Sequence, residues 1–324
     1  MEINIPFIIK HLPLKKIAII GGHGFIGKNF TDFFLEHGYP VTLVGKNSGS
    51  KTFQPEVVSV TAMVHETPKI VDAIKDCEII IWLASSLIPG VHETSLEKDF
   101  ETNVKPVIAL LENAHQLVLQ KFIYLSSGGT IYGDSEEHIP VSEDHSKSPI
   151  SEYGLSKLVA EQYIQFLTRS SDFESYILRP SNVYGKYQNL NKPQGIIGFA
   201  FKSLLNGTAI DLYNDGRVVR DFIFVMDLAE AVLKCIETPI QKSLTHIYNV
   251  GNGKPNSIKE MIDKISSISG TEVQTVAKPP RNFDCEYNVL DIEKIRKDLH
   301  WQPEVEVDEG LKEVWEWIKA KGND

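Results

Sequence analysis

The chain has 324 residues, 42% apolar and 23% charged, a composition that excludes disorder and is long enough to predict two packed lobes in one globular unit. Its 43 acidic residues against 33 basic ones give a formal charge of −10, which argues against a nucleic-acid partner. Cys77, Cys235 and Cys285 stand far apart and outside any Cys-x-x-Cys pair, so free thiols in a reducing compartment are expected, with no disulfide framework and no metal site.

Residues 1 to about 14 read as an N-terminal extension, interrupted by Pro6 and Pro13. From Lys16, short β-branched runs alternate with longer amphipathic stretches: Ile17–Ile20, a helix from Gly24 to His37, then Val41–Val44, Val71–Lys75 and Ile79–Leu83. A helix around Asn103–Leu119, a strand at Phe122–Leu125, a helix from Tyr153 to Thr168 and a strand at Tyr176–Leu178 follow. Continuous apolar strands separated by helices predict an α/β fold with a doubly wound parallel sheet covered on both faces. After Arg179-Pro180 the alternation degrades, and Gly, Pro and Asn accumulate through Gly195. A smaller second lobe is expected there, with helices near Ile196–Asn206, Met226–Ile236, Ile258–Ser267, Asp291–Leu299 and Gly310–Ala320. The longest apolar runs, such as Ile79 to Ala84, are too short to span a bilayer, and no signal core is present near the N-terminus. A cytoplasmic protein without a membrane partner is expected.

Ile17-Ala-Ile-Ile-Gly21-Gly-His-Gly24-Phe-Ile-Gly27 places glycines at three-residue intervals between a strand and a helix. Glycine lets the backbone turn sharply and approach a pyrophosphate, whose charge then meets the helix N-terminal amides. Dinucleotide binding is expected of this turn, with His23 serving only its backbone. The second strand of such a site ordinarily ends in an acid that binds the adenosine ribose, but Val44 is followed by Gly45-Lys46-Asn47. Lys46 could instead pair with a 2′-phosphate, so NADP stands beside NAD as a cofactor. Ala84, Ser85 and Ser86 follow a buried strand at its C-terminal end, where ligands meet such sheets. Farther on, Tyr153-Gly-Leu-Ser-Lys157 sets a phenol and an ammonium four residues apart, on one helix face. Free tyrosine titrates near pH ~10, so the adjacent positive charge is expected to hold the phenol as phenolate and make it a usable base.

The glycine turn taken with Tyr153-x-x-x-Lys157 resembles the extended short-chain dehydrogenase/reductase family, in its nucleotide-sugar epimerase and dehydratase branch. Phe122-Ile-Tyr-Leu-Ser126-Ser127-Gly-Gly-Thr130-Ile-Tyr-Gly133 looks like its active-site strand and turn, and Leu178-Arg-Pro-Ser-Asn182-Val-Tyr-Gly185 like the loop that meets the sugar. Asp215 to Asp227, with Arg220, and Arg281-Asn-Phe-Asp284 are similar to segments that carry pyrophosphate-binding arginines. The match runs from about residue 16 to the C-terminus. It implies a dinucleotide-binding Rossmann domain over residues 1–180 and a lobe over 181–324 that mainly binds the nucleotide-sugar, some of whose segments return to the first domain. It also implies a UDP-hexose 4-epimerase working through a 4-keto intermediate, and a homodimer. Tyr153 and Lys157 would be catalytic. Gly21, Gly24, Phe25, Ile26, Gly27, Lys46, Leu83, Ala84, Ser85, Asn103 and Pro180 would join them around the dinucleotide, and Ser86, Asn182, Arg220 and Arg281 would hold substrate. One departure stands out: the serine or threonine expected four residues before Tyr132 is Gly128, leaving Ser127 or Thr130 to supply the hydroxyl. Dehydratases carry Asp-Glu where Gly129 and Thr130 stand, so dehydration is disfavoured. An NADPH-dependent 4-ketoreductase and a non-catalytic dinucleotide sensor are the alternatives. Trp301, Trp315 and Trp317 are expected to pack rather than to bind.

Overall fold

The computed structural model describes residues 14–46, 57–85, 95–134, 139–190, 195–280 and 285–321. The extension up to residue 13, Ser86 and Arg281 lie outside them. The chain enters through β1 (Ile17–Ile20), α1 (Phe25–Glu36), β2 (Val41–Gly45), β3 (Val58–Thr61), α2 (Thr67–Ile74) and β4 (Ile79–Trp82). It continues through α3 (Leu96–Asp99), a π-helical turn (Phe100–Val104), α4 (Lys105–Glu112), β5 (Lys121–Leu125), α5 (Gly128–Ile131), α6 (Glu152–Thr168) and β6 (Glu174–Pro180). The second half contains β7 (Asn182–Tyr184), α7 (Gly195–Asn206), β8 (Ile210–Tyr213), β9 (Val219–Arg220), β10 (Phe222–Phe224), α8 (Val225–Glu237) and β11 (Thr245–Val250). β12 (Asn256–Ser257), α9 (Ile258–Ser269), β13 (Thr275–Lys278), β14 (Tyr287–Asn288), α10 (Glu293–Leu299) and α11 (Val307–Lys321) complete it.

Seven strands form one sheet in the order β11-β6-β5-β4-β1-β2-β3, with every neighbouring pair parallel. Ile17 and Ile19 point to one face, where α1, α8 and α10 bury Phe30, Phe34, Leu228, Val232 and Ile295. Ala18 and Ile20 point to the other, with Ile70 and Ile74 of α2, Val107 and Leu110 of α4, and Ala160 and Ile164 of α6. This two-sided burial explains why the central strands are continuously apolar. A separate core, with Phe201, Met261, Ile265, Leu311 and Val314, unites α7, α9 and α11 in the second lobe. β11 and α8, although late in the chain, belong to the seven-stranded sheet and its covering layer.

Two local expectations differ from the structure, and one strand, β3, has no expectation attached to it. Val71–Lys75 is not a strand: it falls in α2, which Pro68 opens and whose Ile70, Val71 and Ile74 share a buried face. β3 carries no apolar run because it is the sheet's edge, with exposed Val58. The expected Asn103–Leu119 helix starts earlier, passes through the π turn and ends at Glu112, followed by a single 3-10 turn at Ala114–Gln116. No described helix is long and apolar enough to cross a membrane. Trp301 is buried against α8, Trp315 stacks on Phe201 and Trp317 meets Tyr187 edge-on.

Candidate active site

The order of the sheet reverses between β1 and β4, and the glycine turn leaves β1 at that point. Gly21 has φ +91°, and a Cβ there would stand 2.8 Å from the Ala84 nitrogen at the end of β4. A Cβ on Gly27 would meet Gly22 Cα at 2.6 Å, so these two positions require glycine if the turn is to close on α1 and β4. Gly24 is exposed and caps α1 with no side chain, which leaves the amides of Phe25, Ile26 and Gly27 opening the helix without an intervening group. That bare cradle fits a pyrophosphate. Leu83 and Ala84 are partly exposed beside it, and Lys46 is exposed at the end of β2. His23 has more than a backbone role: its ring packs over Gly45, and Nε2 lies 3.3 Å from Ser59 Oγ.

Tyr153 and Lys157 lie on α6, which Ser151 caps by accepting a hydrogen bond from the Gly154 amide. Gly154 is demanded by packing, since a Cβ there would fall 2.5 Å from the Thr130 carbonyl oxygen. α5 packs closely on α6, and Ser127, just ahead of α5, reaches the tyrosine. Lys157 Nζ donates to the Leu125 carbonyl at 2.7 Å and lies 5.7 Å from the Tyr153 ring centroid and 4.8 Å from that of Tyr124. Burial pushes the Tyr153 phenol up to about 12, while a hydrogen bond from Ser127 pulls it the other way. Burial also pulls the Lys157 ammonium down to about 8, with the Glu161 carboxylate opposing the fall. Burial thus opposes the expected phenolate, and the hydrogen bond from Ser127 favours it.

The turn after β5 also departs from expectation. The strand stops at Leu125 and Gly128–Ile131 is helical, so strand alternation does not set the direction of Thr130. Ser127 makes no cap to α5 and hydrogen-bonds the phenol instead. The Thr130 hydroxyl is buried with no hydrogen-bond partner among the described residues. Gly128 has no room for any side chain: a Cβ would lie 2.6 Å from Leu290 Cδ1 and 2.9 Å from the Arg179 carbonyl oxygen.

Charges buried behind this turn support it. Arg179 donates to Glu161 through Nε (3.1 Å) and Nη2 (2.6 Å), and Ser126 Oγ donates to the same carboxylate at 2.5 Å. Arg179 Nη1 donates to the Tyr132 hydroxyl, which donates to Asn249 Oδ1. Asp221 is a second anchor. Its carboxylate accepts from the amides of Asn252 (2.9 Å), Gly253 (3.1 Å) and Leu290 (3.3 Å), and its carbonyl accepts from Asn182 Nδ2 at 2.9 Å. Asp221 thus joins the segment that carries Arg220 to Asn182 and to Leu290, which roofs Gly128. Glu161 and Asp221 escape a reading of sequence because a lone carboxylate looks solvated until its buried donors are known.

Asn182 lies alongside Gly129, and Arg220 ends β9 with Nη1 on the Val219 carbonyl. Asn103 is buried rather than a helix-surface amide: it donates to Asp99 Oδ1 at 2.6 Å and accepts from Ser85 Oγ at 3.3 Å. Pro180 ends β6, opposite Val250 in the sheet. Among the described residues, no group of three His, Cys, Asp or Glu side chains is placed to hold a metal.

Comparison with known proteins places these features in context. Residues 17–251 match the model of the NAD dependent epimerase/dehydratase family. A Methanocaldococcus jannaschii protein provisionally named UDP-glucose 4-epimerase is 33% identical over 308 residues, 94% of this chain and 98% of the relative. An Escherichia coli dTDP-4-dehydro-6-deoxyglucose reductase is 27% identical over 315 residues, 94% of this chain and 98% of its own. Among solved structures, UDP-glucose 4-epimerase from Thermotoga maritima with UDP-glucose aligns at a TM-score of 0.87 and 28% identity, covering 94% of this chain and 99% of that one. The Thermus thermophilus UDP-glucose 4-epimerase complex with NAD aligns at 0.84 and 26% over the same shares. With its glycine turn, its Tyr153 and Lys157 and a matched span of well over half its length, the chain belongs to the NAD dependent epimerase/dehydratase family.

Proposed function

We propose that the chain is a nucleotide-sugar 4-epimerase that inverts C4 of a UDP-hexose through a transient 4-keto intermediate with NAD bound. The observation that carries this reading is the Tyr153, Lys157 and Ser127 cluster at the C-terminal end of β5 with a bare glycine cradle at the same end of the parallel strand β1, in a chain similar along nearly its whole length to UDP-glucose 4-epimerases. When bound, the nicotinamide supplies the acceptor and donor of a hydride.

As its phenolate, Tyr153 takes the proton of the sugar hydroxyl at the carbon being oxidised, becoming the phenol, and gives that proton back at the end. Lys157, fixed by the Leu125 carbonyl, supplies positive charge beside the phenol, and Ser127 donates to its oxygen. No carboxylate stands between Ser126 and Gly133 to drive loss of water, which supports epimerisation over dehydration. Arg220 and Arg281 would grip the pyrophosphate with forked donors, and Asn182 would meet the sugar. In this reading residues up to 180 hold the dinucleotide and residues 181–324 mainly the nucleotide-sugar, with β11 and α8 returning to the first domain.

The likeness to the reductase and the absence of an acid at Gly45 favour one second reading, an NADPH-dependent 4-ketoreductase. Incubation with UDP-glucose or UDP-galactose without added reductant separates the two. C4 epimers formed over many turnovers support the epimerase; keto-sugar reduction with stoichiometric loss of NADPH supports the reductase.

We further infer a homodimer through α6, whose Leu155, Tyr163 and Phe166 are 43%, 40% and 67% exposed at positions sharing one helix face. Light scattering on the purified protein tests it. Cys77, Cys235 and Cys285 are buried and outside any disulfide, which supports a cytoplasmic location.

A further inference from the structure

We propose that the adenosine end of the dinucleotide site accepts a 2′-phosphate, with Lys46 as its counter-charge and His23 and Ser59 as its polar wall, so that the protein binds NADP(H) as well as NAD(H). The inference rests on the dinucleotide reading of the glycine turn and holds for either reaction above.

The end of β2 faces the adenosine ribose in sheets of this order, and an acid there binds the ribose hydroxyls and repels a phosphate. Here that strand ends in Gly45. A Cβ there would rest in ordinary contact with His23 Cδ2 at 3.4 Å and Gly21 Cα at 3.7 Å, so the imidazole stands directly over this position. His23 Nε2 lies 3.3 Å from Ser59 Oγ on the adjoining edge strand, which joins the glycine turn to β3 across the end of β2. Burial, and then Lys28, hold the His23 imidazole below its usual range, so it is a neutral hydrogen-bonding group at pH 7. The formal charge comes from Lys46, exposed on the next residue. No Asp or Glu occurs within residues 21–27, 41–46 or 57–62, the three segments that meet here. A phosphate arriving at this edge therefore meets a cation and neutral donors, and no carboxylate from those segments.

The test is fluorescence titration of the purified protein with NADPH and with NADH, alongside mass-spectrometric identification of any dinucleotide released on denaturation. NADPH is expected to bind at least as tightly as NADH, and added salt to weaken NADPH more. Lys46→Ala is expected to weaken NADPH about tenfold and NADH less than about twofold, as loss of one charge-assisted contact requires. Gly45→Asp is expected to suppress NADPH binding while sparing NADH. Binding or retention of NAD(H) alone overturns the 2′-phosphate site but leaves the dinucleotide site standing, whereas binding of neither overturns both. An unchanged NADPH affinity in Lys46→Ala overturns the assignment of that residue.

Discussion

Placing at position 128 the hydroxyl expected from the family pattern should damage this protein. In Gly128→Ser the new Cβ would start 2.6 and 2.9 Å from the two methyl carbons of Leu290 and 2.9 Å from the Arg179 carbonyl oxygen. Non-bonded carbon atoms prefer about 3.5–4.0 Å, so something must retreat by about 1 Å. Leu290 is fully buried among Ile131, Tyr132 and Val141, with its amide on Asp221, and Arg179 lies within β6 between β5 and β11. Neither neighbour has room. Overpacking of this kind costs about 2–3 kcal/mol, which for a chain of this length lowers the melting temperature by about 3–4 °C. Leu290→Ala removes one of the two obstacles and costs about 2–5 kcal/mol by itself. The double variant should therefore be more stable than the sum of the two changes predicts, by about 1 kcal/mol or more. Thermal and urea unfolding of the four proteins measure the cycle. A Gly128→Ser protein as stable as the parent, or strict additivity with Leu290→Ala, would refute the steric account.

Three further outcomes are expected. Tyr153→Phe should lower turnover by more than about 10²-fold, the usual scale of lost acid–base catalysis, while dinucleotide binding persists in a fluorescence titration. Glu161→Gln leaves the buried Arg179 guanidinium without its counter-charge and should cost about 3–5 kcal/mol in chemical denaturation. The pH dependence follows from Lys157: its folded pKa of about 8 lies below the ordinary 10.5, so the ammonium is present at pH 7 and lost as pH rises past about 8. Turnover that needs that ammonium should fall on the same rise. Because Glu161 raises the lysine's pKa, the fall should begin at lower pH in whatever Glu161→Gln protein remains folded, as a pH–rate profile will show.

Much of the fold was legible because burial on both faces leaves its mark on sequence. Ile17–Ile20, Ile79–Trp82 and Phe122–Leu125 are apolar throughout since each lies inside the parallel sheet. β3 is an edge strand with exposed residues, so no apolar run betrays it. Val71–Lys75 misled because a short β-branched run reads alike in a strand and on the buried face of α2, and Pro68 was the better signal. At the site, the spacing of Tyr153 and Lys157 revealed the pair but not its electrostatics, since desolvation depends on neighbours from β5 and the turn after it. Gly128 could be seen as a missing hydroxyl, yet the reason for the glycine, a leucine 162 positions later, exists only in three dimensions. Asp221 and Glu161 were hidden for the same cause.

The central claim is that hydrogen leaves a sugar carbon and returns to that same carbon while Tyr153 moves the proton. UDP-glucose carrying deuterium at C4 tests it most directly, with the product followed by NMR in ordinary water. The account predicts UDP-galactose that keeps its deuterium at C4. Epimer formed with the label lost to solvent, or no epimer formed at all, would contradict it.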